Sequence, residues 1–407
     1  MTQEIGSPAP GSAPGSTPAR DLTILMVGIA TVGLQALMLS PMLPDMAAAL
    51  HATAREIGFA TGAYGLGVAL SALIAAPQLG RWRKVPALRT AFLIMACGLA
   101  LCGIAWDWRV LVGGQALTGL AAGIVLPGTY ALAAELSAPE ARSRAIGKVI
   151  FGWSVAMVAG IPLAALFADL VDWRGTFATV SAACLFMAML LGRISPTSGT
   201  IVTNAASYAE ALRVPGMKLC LVATFAYMIG FYQTYTFVGD YVRHLHDAGA
   251  WLGGVVAASY GLGFGAAVLF NAWQDRQGPV RLMALALLAV GLNYLILPFA
   301  LLEFWSTLTY PFLWGLANHI CMNVLVSFIG GAPAAERSTA MGLFSFITYL
   351  AVGMGGAVYG AVYAQVGFMP VSFAAMLGMV LAAILVAGFL KKAVAPRSYE
   401  TPSARMN

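Results

Sequence analysis

Residues 64–67 read Tyr-Gly-Leu-Gly, and the same four residues return at positions 260–263. Further matches on either side of this stretch recur at a spacing of 195 residues, and one insertion in a loop accounts for the extra residue between the two copies of the stretch. These pairs are Asp45 and Asp240, Arg81 and Arg276, Arg142 and Arg337, Ala145 and Ala340, Gly147 and Gly342, and Gly160 and Gly355. Matches at one spacing along the whole chain predict two similar halves in tandem, an arrangement typical of membrane transporters.

The composition indicates that most of this chain is solvated by lipid. Hydrophobic residues make up 60% of the 407 residues and charged residues only 9%, whereas soluble domains carry about 25% charged residues. The net charge of +6 is explained by basic residues gathered on one side of a bilayer, and we expect no nucleic-acid partner. The five cysteines lie inside apolar runs without metal-ligand spacing, so we expect neither a disulfide nor a metal site.

Apolar runs predict an all-α membrane protein of twelve transmembrane spans, because a spanning helix needs about 20 mostly apolar residues. The twelve spans are 22–43, 57–79, 87–105, 110–134, 146–168, 175–192, 217–239, 250–273, 280–300, 305–329, 339–364 and 370–390. They divide into two pseudo-symmetric six-helix bundles. The predicted domains are a disordered tail (1–20), an N-terminal bundle (21–192), a central loop (193–216), a C-terminal bundle (217–392) and a second tail (393–407).

The distribution of basic residues predicts the orientation. With the N-terminus inside, 18 of the 22 Lys and Arg fall in cytoplasmic segments, and the outer segments hold Arg55, Arg109, Arg174 and Arg243. This asymmetry is typical of proteins that follow the positive-inside rule. We therefore predict a multi-pass protein of the cell inner membrane, with both tails and the central loop in the cytoplasm.

Several loop and helix motifs resemble those of the major facilitator superfamily. Within it, the chain looks most like the sugar-efflux-like branch of the drug:proton antiporter-1 family, over about residues 20–392. The motifs are Gly160-Ile161-Pro162-Leu163, Asp172-Trp173-Arg174-Gly175-Thr176-Phe177, Gly239-Asp240, Tyr260-Gly261-Leu262-Gly263-Phe264-Gly265 and Asp275-Arg276-Gln277-Gly278. The resemblance implies two six-helix bundles and an efflux transporter that exchanges a small amphipathic, drug-like or sugar-like molecule for protons by alternating access.

The same resemblance implies which residues form the site. Spans 1, 4, 7 and 10 line the cavity in the family, so polar and aromatic residues of these spans are substrate-binding candidates. They are Gln35, Gln115, Tyr227, Phe231, Tyr232, Gln233, Trp314, Asn318, His319 and Asn323. Packing between helices is the alternative for each of them. Arg81, Asp275, Arg276 and Arg144 are the candidates for an inner gate, and a plain basic loop is the alternative there.

Three residues are candidates for proton coupling. His319 is the one ionisable side chain placed deep in a predicted span, and ionisable groups at membrane depth are costly and usually functional. A neutral histidine that links helices is the alternative. Asp45 and Asp240 end spans 1 and 7 at the outer face, where each either caps the next helix or forms an outer gate or proton site.

The sequence departs from the family at some of these positions. Gly80 and Arg83 stand where the family's first loop motif carries Asp and Gly, and Gln115 stands where span 4 often carries Arg. The chain shows no phosphate-binding loop, HExxH motif or nucleophile-base-acid set, so we expect a transporter without cofactors, and no enzyme. We also expect it to be a monomer. A uniporter, an uptake permease and a non-transporting sensor remain as alternatives.

Overall fold

The structure is a computed structural model that describes residues 19–75, 82–137, 141–194 and 207–394. The predicted tails and most of the predicted central loop lie outside the described residues. Within these ranges the chain is almost entirely helical and contains no β-strand.

Twelve long helices make up the described part of the chain, one for each predicted span. In chain order they are α1 (Ala19–Leu37, continued by Leu39–Ala49), α2 (Ala54–Ala75), α3 (Lys84–Gly103), α4 (Trp108–Glu135), α5 (Arg142–Val155, a π-helical turn at Ala156–Gly160, then Ile161–Leu170), α6 (Trp173–Leu191), α7 (Met217–His246), α8 (Ala250–Ala266, a 3-10 turn at Ala267–Phe270, then Asn271–Gln277), α9 (Pro279–Ala300), α10 (Phe304–Gly330), α11 (Ala334–Val366) and α12 (Phe368–Val394).

Eleven of these helices are long and apolar enough to cross a membrane, counted over the described ranges. The helix outside that set is α7, which has 30 residues. Its length is sufficient, but its Tyr, Thr and Gln residues lower its mean hydropathy. The predicted all-α membrane fold is therefore confirmed, and the most polar of the helices is one that we expected to line a substrate cavity.

Glycines allow equivalent helix pairs to pack closely in the two halves. In the N-terminal half, a Cβ atom at Gly119 of α4 would lie 2.2 Å from the carbonyl oxygen of Tyr64 on α2. In the C-terminal half, a Cβ atom at Gly315 of α10 would lie 2.0 Å from the carbonyl oxygen of Tyr260 on α8. Such contacts leave no room for a side chain. Because Tyr64 and Tyr260 begin the two copies of the repeated Tyr-Gly-Leu-Gly stretch, the repeat is visible in the packing itself.

The Gly-Ile-Pro stretch of α5 follows a π-helical turn. Residues Ala156–Gly160 form this turn, and Pro162 lies in the first turn of the α-helical segment that follows. A π-turn widens the helix locally, and proline has no N–H group to donate to the turn before it. The widened region faces the other half, because a Cβ atom at Gly261 of α8 would lie 2.8 Å from the Cβ atom of Met157.

The two halves also meet along α2 and α11. A Cβ atom at Gly65 of α2 would lie 2.6 Å from the backbone nitrogen of Gly353 on α11. Nearer the start of α2, a Cβ atom at Gly360 would lie 3.1 Å from the Cα atom of Arg55. The α2–α11 and α5–α8 contacts define the seam between the halves, on which the candidate site lies.

Candidate functional site

An arginine and an aspartate join the two halves where α1 and α7 end. The Nη1 and Nη2 atoms of Arg243 donate to the Oδ2 and Oδ1 atoms of Asp45 at 2.6 and 2.8 Å, and Nη1 also donates to the carbonyl oxygen of Pro41 at 2.7 Å. The Arg243 side chain is only 11% exposed. Two-pronged, charge-assisted bonds of this kind are among the stronger polar contacts in proteins. We call this end of the molecule the Asp45 end.

Two further cross-half contacts close the Asp45 end. Asp169, at the end of α5, accepts hydrogen bonds from the backbone N–H groups of Ala250 and Trp251 in the first turn of α8, at 2.7 and 2.6 Å. A carboxylate there satisfies free N–H groups and complements the helix dipole. The hydroxyl of Ser40 donates to the carbonyl oxygen of Tyr235 at 2.5 Å. Helices α1 and α5 of one half are thus tied to α7 and α8 of the other.

Asp240, the repeat counterpart of Asp45, has different partners. It is buried, accepts a hydrogen bond from the hydroxyl of Tyr363 on α11, and has its Oδ1 atom 3.4 Å from the Nδ1 atom of His244. Tyr363 in turn stacks on Phe237 with ring centroids 4.6 Å apart. Asp45 therefore bridges the halves, whereas Asp240 links two helices of one half.

The expectation that Asp45 and Asp240 cap the following helices is not what the structure shows. At the start of α2, the Thr53 hydroxyl accepts from the backbone N–H of Glu56. At the start of α8, the side chain that accepts from the backbone is Asp169. The carboxylates of Asp45 and Asp240 instead contact side chains of other residues, in keeping with the gate and proton-site alternatives.

Four of the predicted amide residues are buried, and they differ in how they are paired. The Nε2 atom of Gln35 on α1 donates to the Oε1 atom of Gln115 on α4 at 2.7 Å. The Nδ2 atom of Asn318 donates to the carbonyl oxygen of Trp314 at 2.7 Å, and the Asn318 carbonyl oxygen accepts from the Tyr227 hydroxyl at 3.0 Å. Neither amide atom of Gln233 has a hydrogen-bond partner, although the residue is 1% exposed.

Aromatic rings of α7, α8 and α10 form one buried cluster. Phe231 stacks on Tyr260 with ring centroids 5.5 Å apart, and Tyr260 meets Trp314 edge-on at 4.8 Å. Tyr232 and Tyr235 contact Phe231 at 5.1 and 5.6 Å. The cluster brings together most of the predicted aromatic residues and gives the C-terminal half a rigid wall.

His319 lies at the edge of this cluster and is half-buried. Its ring meets Phe264 edge-on with centroids 4.6 Å apart, and its Nδ1 atom is buried without a hydrogen-bond partner. Asn323, one turn further along α10, points elsewhere: its Nδ2 atom donates to Gln274 at 3.1 Å and Asn271 at 3.3 Å, both on α8. The predicted cavity role of Asn323 thus competes with contacts inside its own half.

The structure describes only part of the predicted inner gate. Arg81 and the Asp275 side chain lie outside the described residues, and Arg144 and Arg276 are exposed. Nearby, Lys84 at the start of α3 pairs with Glu135 at the end of α4, a contact within one half that the sequence did not reveal. The inner gate therefore stays a prediction.

Two open cavities of about 510 Å³ each are present, and the predicted substrate residues line neither. One lies at the Asp45 end, between Arg55, Phe59 and Trp108 of the N-terminal half and Gln365 of the C-terminal half. The other lies between α8 and α10 and is lined by Ser259, Tyr310 and Leu313. Apart from the half-buried His319 and Asn323, the predicted substrate residues are buried in this conformation.

Sequence reasoning missed the partners of these residues. Arg243 was recognised only as an outer charge, and neither Asp169 nor Tyr363 was named at all. Nothing in the local sequence marks Asp169, since its partners are backbone atoms 81 and 82 residues away. A possible signal for Arg243 was its position three residues after Asp240, where the repeat counterpart is Ala48.

Together, twelve long helices in two repeated halves, with polar residues at their seam, define a multi-pass membrane transporter. The sequence profile described as Major Facilitator Superfamily matches residues 25–355. The chain therefore belongs to the major facilitator superfamily, which confirms the family prediction. Members of this family are transporters and not enzymes.

Relatives and solved structures agree with this assignment. An uncharacterised transporter of this type from Bacillus subtilis, YwfA, is 28% identical, with 92% of each chain covered. A probable sugar efflux transporter of Pasteurella multocida is 25% identical, and the match covers 69% of this chain and 70% of the relative. A chloramphenicol resistance protein of Streptomyces lividans is 26% identical, and the match covers 78% of this chain and 84% of the relative. A bacterial homologue of the human lysosomal transporter Spinster, solved in an inward-facing, unoccupied conformation, shares the fold with a TM-score of 0.74 at 17% identity, covering 94% of this chain and all of its own.

Proposed function

We propose that this protein is a proton-coupled efflux transporter that exchanges a small amphipathic, drug-like or sugar-like molecule for protons by alternating access. In this proposal it works as a monomer in the cell inner membrane, with both termini in the cytoplasm. The names of the sugar efflux and chloramphenicol resistance relatives favour efflux.

The observation that carries the proposal is the polar closure of the Asp45 end. Arg243, Asp169 and Ser40 make hydrogen bonds between the halves there. Alternating access requires contacts that hold one end shut and can be replaced when that end opens. With the termini in the cytoplasm, as the basic residues predict, the Asp45 end faces outward and the conformation is closed to the outside.

His319 supports the coupling part of the proposal. It is half-buried at mid-helix, and its Nδ1 atom has no partner in the protein. Histidine binds and releases protons in the physiological range, and an ionisable group at membrane depth usually serves a transport or relay function. Asp240, buried beside Tyr363, is the second candidate for the proton.

Transport by everted membrane vesicles tests the proposal. We expect vesicles that contain the protein to take up labelled chloramphenicol or a labelled sugar when their interior is made acidic, and to lose this uptake when nigericin collapses the pH gradient. Vesicles without the protein are the control. Orientation is tested separately with a cysteine at Ser398, which an impermeant thiol reagent should not label in intact cells.

The alternatives give different results in the same vesicles. Flux that equilibrates both solutes regardless of the gradient would indicate a uniporter. Solute that moves together with protons would indicate an uptake permease. Vesicles that move neither solute under any gradient would contradict the efflux proposal for both substrate classes and favour a non-transporting sensor.

A further inference from the structure

Two tyrosines face each other across the seam between the halves. Tyr64 on α2 and Tyr349 on α11 have ring centroids 6.4 Å apart, with the rings nearly perpendicular. They are 2% and 7% exposed. Tyr232 of α7 lies close enough to both tyrosines to interact with them electrostatically. The hydroxyl oxygen of Tyr64 is buried without a hydrogen-bond partner. None of the sequence motifs drew attention to Tyr64 as a binding residue or to Tyr349 at all.

Further unpaired polar atoms lie on α7 and α11. Both amide atoms of Gln233 lack partners, and so do the hydroxyls of Thr234 on α7 and of Thr348 on α11. Gln233 faces α11, since its Cβ atom lies 3.9 Å from the position of a Cβ atom at Gly355. Buried polar atoms are normally hydrogen-bonded, so each exception needs an explanation. Unpaired atoms on α2 of one half and on α7 and α11 of the other are explained by a polar ligand that contacts both halves.

The chemistry of these atoms restricts the ligand. Amide and hydroxyl groups both donate and accept hydrogen bonds and carry no charge. Among the described residues, no Asp, Glu, Lys or Arg lies in the middle third of a long helix. His319, the titratable group at this depth, packs on Phe264 instead. A charged ligand would therefore be buried here without a counter-ion, which is costly.

We propose that this seam is the polar part of the substrate site, and that it takes an uncharged ligand that carries a ring and hydroxyl or amide groups. Tyr64 and Tyr349, one from each half, determine its specificity: their rings lie against the ligand, and their hydroxyls bond to it. Because the ligand contacts both halves, its binding shifts the equilibrium between the conformations in which the halves are closed and open. This inference rests on the proposed transport function and narrows the class of substrate.

Binding to the purified full chain in detergent tests the inference. The probes are p-nitrophenyl β-D-glucoside, which is uncharged, and p-nitrophenyl β-D-glucuronide, which has the same ring with a carboxylate. Binding is followed by the quenching of tryptophan fluorescence by the p-nitrophenyl group. We expect the glucoside to bind at least tenfold more tightly than the glucuronide. Tyr64→Phe and Tyr349→Phe should each weaken glucoside binding about tenfold, the effect of losing one hydrogen bond to a buried group.

Tyr310→Phe is the matched control, because Tyr310 lines the cavity between α8 and α10, away from the seam. It should bind the glucoside like the unmodified protein. Gln233→Leu provides a second test if a tyrosine variant does not purify as a folded monomer, and it too should weaken glucoside binding.

Several results would overturn the inference: no glucoside binding, equal binding of the two probes, or unchanged affinity in Tyr64→Phe and Tyr349→Phe. The assay uses no pH gradient, so its outcome is separate from that of the vesicle experiment. Glucoside binding by the seam without gradient-driven flux would contradict only the coupled-efflux proposal. Gradient-driven flux of chloramphenicol with no effect of the tyrosine variants would contradict only the assignment of this seam.

Discussion

At the scale of single residues, His319 provides a direct test of coupling. Glutamine at this position keeps a hydrogen-bond donor and acceptor but does not titrate. If His319 carries the transported proton, His319→Gln should still bind and exchange substrate yet lose most of its pH-driven accumulation. The measurements are counterflow exchange and gradient-driven uptake in proteoliposomes.

The control for this prediction is His51→Asn. His51 is exposed in the turn before α2 and has a positive φ of 49°, a conformation that asparagine tolerates. It should accumulate substrate like the unmodified protein. Weakened binding with intact pH dependence in His319→Gln would instead make His319 a substrate ligand, and unchanged binding and accumulation would make it structural.

Single residues also show which parts of the candidate site could be predicted from the sequence. Gln35, Gln115 and His319 could be singled out because polar groups are rare in apolar spans, which needs no knowledge of the fold. The hydrogen bond between Gln35 and Gln115 spans 80 residues of chain, and the contacts of Asn323 with α8 depend on the rotation of two helices. Such pairings arise from tertiary packing, so residue type and spacing alone could not predict them.

At the scale of helices, close packing of α8 against α10 depends on glycines of both helices, and Gly263 of α8 is one of them. A Cβ atom at Gly263 would lie 1.8 Å from the carbonyl oxygen of Phe312, whereas a Cβ atom at Gly265 on the same helix would meet nothing within 4 Å. Gly263→Ala should therefore force the two backbones apart and cost about 1–3 kcal/mol or more. The check is the thermal unfolding midpoint in detergent, which should fall clearly.

Gly265→Ala is the matched control for this packing. It adds the same methyl group where there is space, and alanine favours the helix over glycine. Its unfolding midpoint should equal or slightly exceed that of the unmodified protein. Equal midpoints for both variants would show that α8 and α10 relax freely and that the close contact does not limit stability.

The ends of α1 and α7 carry a second prediction at this scale. The Arg243 side chain is mostly buried and that of Asp45 is 38% exposed. Removing the arginine should therefore cost about 1.5 kcal/mol, the lower end of the range for hydrogen bonds to charged groups. Arg243→Gln should then shift the equilibrium about tenfold toward opening of the Asp45 end. Spin labels at Ile104 and Leu302, both exposed in loops at this end, should report a population with longer distances. Arg109→Gln removes an exposed arginine at the same end and should leave the distances unchanged.

A charge-reversal double variant tests whether the Asp45–Arg243 pair itself, rather than its neighbours, holds this end closed. Asp45→Arg combined with Arg243→Asp restores opposite charges and should recover part of the short-distance population. Short distances in Arg243→Gln alone would show that Asp169 and Ser40 suffice to hold this end closed.

The helices themselves were largely predictable, and their irregularities were not. Each predicted span matches one helix because the thickness of the bilayer fixes the length of an apolar run. The sequence placed the end of span 7 at residue 239, whereas α7 continues to His246, since its last turns are held by polar contacts such as the Asp45–Arg243 pair rather than by lipid. The π-turn in α5 and the division of α1 at Met38 also escaped prediction, because both depend on how neighbouring helices pack.

At the scale of the whole molecule, the repeat explains the architecture, and its imperfections point to function. Equivalent glycine contacts at Gly119 and Gly315 keep the two halves alike in packing. The aspartates at equivalent positions differ: Asp45 bonds to Arg243 across the seam, while Asp240 bonds to Tyr363 within its own half. A symmetric scaffold with asymmetric polar contacts can open at one end without an identical change at the other.

Alternating access makes a final prediction for the molecule as a whole, since the two halves must separate at the Asp45 end once in each transport cycle. In a variant with the five native cysteines replaced, Asp45→Cys and Arg243→Cys place two thiols on opposite sides of the seam. A short bifunctional methanethiosulfonate reagent should join them, because the original side chains are in direct contact. Transport in proteoliposomes should then stop and should return when the link is reduced.

The single variant Arg243→Cys reacts with the same reagent without joining the halves, so it should retain its transport. Continued transport by the fully cross-linked double variant would mean that the halves do not part at this end, and the closed Asp45 end would then be a fixed structural contact rather than a gate.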